Sequence, residues 1–176
     1  MFTRLLLRDL IIASLVVAAW LLAAPLSAGD GPVADLTGAL LGVSAFVVGH
    51  LAHEWGHLIG AFLTGGRVGA PKSLTSPFLF SFDSKHNTQR QFLLMSLAGF
   101  AVTGISLFVV YGLLPGDLLA TRVARGMIVF GASLTLFLEV PLLAISLIKG
   151  SILANVEVFP VTSDEANPTH AHKAAA

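Results

Sequence analysis

Hydrophobic positions along the chain gather into four long runs separated by short polar stretches, at roughly residues 10–26, 36–64, 92–114 and 124–148. Each run is close to the about 20 apolar residues that a membrane-crossing helix requires. The third run stops at Pro115-Gly116, and the fourth contains Pro141. A proline inside a helix removes a hydrogen bond and predicts a kink. Within a bilayer the freed carbonyl needs another partner, so the break is expected to face protein or a cavity. Between the second and third runs, FLFSF (Phe78 to Phe82) alternates with the period of a strand. Such a strand offers an edge on which an extended peptide can pair; the alternative is a simple apolar anchor at the interface. Gly56 and Gly60, four apart, suit close approach of another helix, and Gly65-Gly66 suits a helix end. The pattern predicts an all-α membrane protein of about four transmembrane helices. It forms one domain over residues 1–150, with a polar, mobile cytoplasmic tail over 151–176.

Composition agrees. The chain is 55% hydrophobic and 11% charged, where soluble domains carry about 25% charge. Zero net charge gives no footprint for nucleic acid, and the expected surroundings are the lipid bilayer and other membrane proteins. There are no cysteines, so a metal would need nitrogen or oxygen ligands. Arg4 and Arg8 precede the first run, while Arg67, Lys72, Lys85 and Arg90 lie between the second and third; Lys149 and Lys173 follow the fourth. Only Asp30 and Asp35 lie after the first run, and Arg122 with Arg125 is a mild exception after the third. The bias predicts a multi-pass protein with both termini cytoplasmic, in a bacterial inner membrane. The first run also has the basic start and small residues near Ala28 of a signal peptide. Its length and Asp9 favour a retained helix.

The second run carries HLAHEWGH, residues 50–57. His53 and His57 are four apart and share one face of a helix. Two neutral imidazoles at that spacing can hold a zinc ion. Glu54, beside them, can reach a water on the ion without ligating it and act as general base. Ionisable residues in a span cost about 2.5–3.5 kcal/mol each on insertion scales and mark functional sites. His50 shares this face but is too far from His57 to join one ion easily, so it is a packing, hydrogen-bonding or substrate-contact residue. Glu139, two residues before Pro141, is the leading candidate for a third ligand; the alternative is a hydrogen-bonded carboxyl within the bundle. Asp83 and His86 rank below it, and His170 and His172 in the tail read as surface histidines.

Together these stretches resemble the site-2 protease family of intramembrane zinc metalloproteases. HEWGHLIGAFLTGGRV is similar to the family's HExxH helix with its following small residue, glycine and short strand. SPFLFSFD resembles the family's membrane-associated β-hairpin, and RQFLLMSLAGFAVTGI its second core helix. The resemblance covers about residues 45–150 and implies zinc on His53 and His57, with Glu54 catalytic. It departs in two places. Where the family has Gly-Pro-x-x-Asn, this chain has Gly99, Phe100 and Thr103. Where the family has its ligand aspartate, the chain has Ser146, so Glu139 would substitute from an altered helix break.

The reading expected on this basis is a zinc endopeptidase cutting membrane-anchored proteins near the cytoplasmic face. The alternative is a non-catalytic, metal-holding relative that binds or regulates other membrane proteins. A metal transporter or diiron enzyme would need ligand clusters on several helices, and the chain has one dominant cluster.

Overall fold

The structure, a computed structural model, describes residues 1–71, 73–76 and 78–152. Lys72 and the expected tail from residue 153, with His170, His172 and Lys173, lie outside them. The chain is mostly helical. Helix α1 spans Phe2–Ala23 and tightens into a 3₁₀ turn, Ala24–Ala28. Helix α2 spans Pro32–Leu63, entered through Gly31 at φ 101°. Strands β1 (Val68–Gly69) and β2 (Ser81–Phe82) form an antiparallel pair. Helix α3 spans Gln89–Phe108 and continues as a π-helical turn, Val109–Leu113. Helix α4 (Leu119–Leu134), a second π-turn (Thr135–Glu139) and α5 (Val140–Lys149) follow one another without a loop. Among the described residues four helical stretches are long and apolar enough to cross a membrane, at Phe2–Ala28, Pro32–Leu63, Gln89–Leu113 and Leu119–Lys149. Large apolar side chains such as Leu21, Leu22, Phe137 and Ile148 point outward and are exposed.

Helix α2 is the hub, packed on α1, α3 and α4. Its 32 residues reach about 48 Å, more than the about 30 Å hydrocarbon layer. Gly56 and Gly60 do let another helix come close. A methyl group on Gly56 would sit 2.8 Å from Val102 Cγ2, and one on Gly60 2.7 Å from Ala98 Cβ. Helix α3 therefore lies almost against the backbone of α2 beside the two histidines. Gly65, with φ 67°, follows the end of α2.

The structure extends the first span. Helix α1 starts at Phe2, not near residue 10, and takes in Arg8 and Asp9. Asp9 is buried because it is paired: Arg8 Nε donates to Oδ1 at 2.6 Å and Trp55 Nε1 to Oδ2 at 2.8 Å. The third span starts earlier too. Thr88 and Gln91 form a reciprocal capping box, with Gln91 Oε1 accepting from the Thr88 N–H at 2.7 Å.

FLFSF is not a full strand. Only Ser81 and Phe82 pair, with Gly69 and Val68, and Pro71 soon follows β1 without an N–H to extend the ladder. Phe82 packs with Ala61, Phe92, Met95 and Leu143, fastening the hairpin over the ends of α2, α3 and α5. Around Pro141 the helix widens into a π-turn and continues, rather than breaking. Arg125 lies under the end of α3, donating to the carbonyls of Val110, Tyr111 and Leu114, and Arg122 donates to the Asp117 carbonyl. Of the two arginines that run against the charge bias, Arg125 thus closes a helix end, while Arg122 holds the turn that leads into α4.

Candidate metal centre

The site is built on α2 and closed from two sides. His53 and His57 point from α2 toward α3, and both rings are buried. His53 Nδ1 lies 3.1 Å from the Gly99 carbonyl and 2.8 Å from Thr103 Oγ1. His57 Nδ1 lies 3.0 Å from the Met95 carbonyl. A carbonyl only accepts, so each Nδ1 carries the proton. In the neutral rings both Nε2 atoms are then bare electron-pair donors. Gly99 makes this fit possible, since a Cβ there would fall on the His57 ring.

The third corner comes from the far end of the chain. The π-turn before Pro141 presents Glu139 to α2, and Thr135 Oγ1 donates to its Oε1 at 3.2 Å. Glu139 Oε1 lies 3.2 Å from His53 Nε2, Glu139 Oε2 lies 3.0 Å from His57 Nε2, and the two Nε2 atoms are 2.9 Å apart. With both rings neutral, two bare imidazole nitrogens and a carboxylate converge with no hydrogen donor of their own between them, whereas protonated rings would pair with Glu139 directly. In the neutral form that arrangement suits a metal cation, which nitrogen and oxygen ligands can hold. The three residues form a group able to hold a metal ion, and it is the only such group of His, Asp or Glu found among the described residues.

Glu54 stays apart from this triangle. Its side chain is half-buried and makes no hydrogen bond or ion pair among the described residues. It lines two adjoining cavities, as does Glu139. The smaller, about 210 Å³, is walled by His57, Ser96 and the hairpin residues Phe80, Ser81 and Phe82. The larger, about 410 Å³, runs along α2 past His50 and Phe46 to Ser106, Ile128 and Gly131. Glu54 is thus an unpaired carboxylate that faces two cavities, both of which Glu139 also lines.

The other candidates fall elsewhere. His50 stacks on Phe46, ring centres 6.4 Å apart, and lines the larger cavity without joining the triangle. Asp83 and His86 bind each other at 2.7 Å in the turn after β2. What little burial Asp83 has pushes its carboxyl up. Hydrogen bonds from the His86 ring and from the N–H groups of Lys85 and His86 outweigh this and leave it below its ordinary value. Ser146 is fully buried, and its hydroxyl donates to the Ser151 carbonyl at 3.1 Å. The partners of the imidazoles, by contrast, give little sequence signal. Two are backbone carbonyls, and the third is the hydroxyl of Thr103.

Compared with protein-family models, with curated proteins and with solved structures, the chain matches none.

Proposed function

We propose that the chain is a membrane-embedded zinc endopeptidase of the site-2 protease type, cutting membrane-anchored proteins near the cytoplasmic face. The observation that carries this reading is the convergence of His53 Nε2, His57 Nε2 and the Glu139 carboxylate, both imidazoles being held by their opposite nitrogens. Such outer partners fix the tautomer and raise ligand basicity. His53, His57 and Glu139 would hold the ion. What zinc supplies when bound is Lewis acidity, enough to bring the pKa of a water to about 7.

The chain's own groups do the rest. Glu54 takes a proton from the water and returns it to the leaving amine. Ser81 of β2 lines the cavity that Glu54 and Glu139 share. A substrate segment unwound from its helix can pair along that edge. Leu142 and the three phenylalanines Phe78, Phe80 and Phe82 give the cavity an apolar wall. The orientation follows the charge bias. Arg8 donates to the carbonyls of Leu74 and Ser76, so the N-terminus and the hairpin loop share one end of the bundle, the one rich in Arg and Lys.

The test is Glu54→Gln in purified, reconstituted protein, offered a panel of tagged single-span membrane proteins. About one zinc per chain in both forms, with cleavage by wild type alone, is the expected result. Cleavage undiminished in Glu54→Gln overturns the mechanism. Zinc-loaded wild type that cuts none of the panel favours a non-catalytic, metal-holding role.

A further inference from the structure

Ser96 lies in the middle of an apolar helix, is only 6% exposed, and has no hydrogen-bond partner among the described residues. Its neighbours in kind behave differently. Ser44 donates to the Leu41 carbonyl at 2.7 Å, Thr64 to Gly60 at 2.9 Å and Ser133 to Val129 at 2.8 Å. Each returns its hydroxyl to its own helix, the usual way to satisfy one in an apolar setting. The one wholly enclosed hydroxyl without a partner among the described residues is Thr121 Oγ1; the Ser96 hydroxyl, also unpartnered, instead opens onto a cavity and is free to donate there.

That position is informative. Ser96, Gly99 and Thr103 are spaced by three and four, one stripe of α3. Thr103 meets the His53 ring and Gly99 is pressed against the His57 ring. Ser96 is the next step along the stripe, past His57. There it lines the smaller cavity with Glu54, His57, Glu139 and Ser81. Base, candidate ligands, strand edge and an unpaired hydroxyl therefore face one space.

We propose that Ser96 is a further catalytic residue, whose Oγ–H donates to the carbonyl oxygen of the bond being cut. The inference rests on the peptidase reading above. As water loses a proton to Glu54 and its oxygen bonds to the carbonyl carbon, the carbonyl π pair moves onto oxygen. Ser96 meets that charge with a preplaced donor in a water-poor site. When the pair returns, the C–N bond breaks and the proton held by Glu54 passes to the amine nitrogen. Ser96 keeps its own proton throughout.

Two probes test this on the zinc-loaded protein without a known substrate. One is a phosphinic pseudo-dipeptide with apolar side chains, whose tetrahedral phosphorus presents two oxygens. The other is a matched thiol, which can ligate a metal but presents no oxygen to Ser96. Ser96→Ala is expected to weaken the phosphinic probe by about 10- to 100-fold, the worth of a hydrogen bond to a charged group. Thiol affinity and metal content stay as in wild type, and Ser96→Thr restores the phosphinic affinity. Unchanged phosphinic binding in Ser96→Ala overturns the proposal. So does loss of both probes, which would make Ser96 a residue that only shapes the site. Thiol binding without phosphinic binding in wild type overturns it and leaves the metal centre standing. Failure of the zinc-loaded wild type to bind either probe removes the peptidase reading itself.

Discussion

Thr103→Val isolates the hold that α3 has on one imidazole. Valine keeps the β-branched shape and removes only the hydroxyl, 2.8 Å from His53 Nδ1. The ring keeps its second partner, the Gly99 carbonyl at 3.1 Å. His53 would then be held as His57 is, by one carbonyl alone. The loss should be that of a single net hydrogen bond, about 0.5–1.5 kcal/mol, or up to about tenfold in zinc dissociation constant. This lies at the low end of the about 10- to 100-fold range known for outer-shell partners of metal ligands. The assay is competition with a chromogenic zinc chelator in detergent, comparing wild type, Thr103→Val, Thr103→Ser and His53→Ala. Serine keeps the hydroxyl and should bind as wild type does, while His53→Ala should lose the ion. Thr103→Val with undiminished affinity would refute the argument that this hydroxyl orients the ring. Loss as complete as in His53→Ala would refute the ranking of Thr103 as an outer partner.

Two further outcomes follow from the packing. Elemental analysis should find zinc lost in Glu139→Ala but retained in Ser146→Ala, because Glu139 touches both Nε2 atoms while Ser146 is spent on the Ser151 carbonyl; the reverse result would return the third ligand to the position that the family resemblance picks. Asp9→Ala leaves the Trp55 indole N–H without its acceptor between α1 and α2, so thermal unfolding in detergent should show a loss of about 1–3 kcal/mol, and an unchanged melting temperature would mean that α1 is not fastened to the core there.

What was legible in the sequence was whatever depends on local spacing. The four spans follow from apolar run length, and the pairing of His53 with His57 from the pitch of one helix. What was hidden depends on contacts between elements. Arg8 and Asp9 look like the polar flank of a span, yet α1 continues through them because Trp55 and Arg8 satisfy the carboxylate. FLFSF alternates like a five-residue strand, but strand length is set by the partner, and β1 offers two residues. The carbonyls of Met95 and Gly99 hold the imidazoles, and a carbonyl has no side-chain signature. Ser96, Gly99 and Thr103 did leave a trace, a small-residue stripe at helical spacing within an apolar run. Its meaning needed the position of α2.

Glu139 shows how the two kinds of information meet. A carboxylate two residues before a proline is readable, but its direction is not. In a regular α-helix each residue turns about 100°, so one added residue in a turn swings everything beyond it by about that angle relative to everything before. The π-turn Thr135–Glu139 makes this adjustment, with the Val140 N–H reaching back five residues to the Thr135 carbonyl. Pro141 lies just past the turn and has no N–H to donate in a regular ladder. α4 can therefore keep Ala120, Ala124 and Ile128 buried in the bundle while α5 turns Leu143 and Ser146 inward on a different register. Glu139 lies at the seam between the two, where the backbone is already displaced. π-bulges are frequent at functional sites, and the physical reason is visible here. The seam lets a polar side chain face the two imidazoles without costing either helix its apolar face.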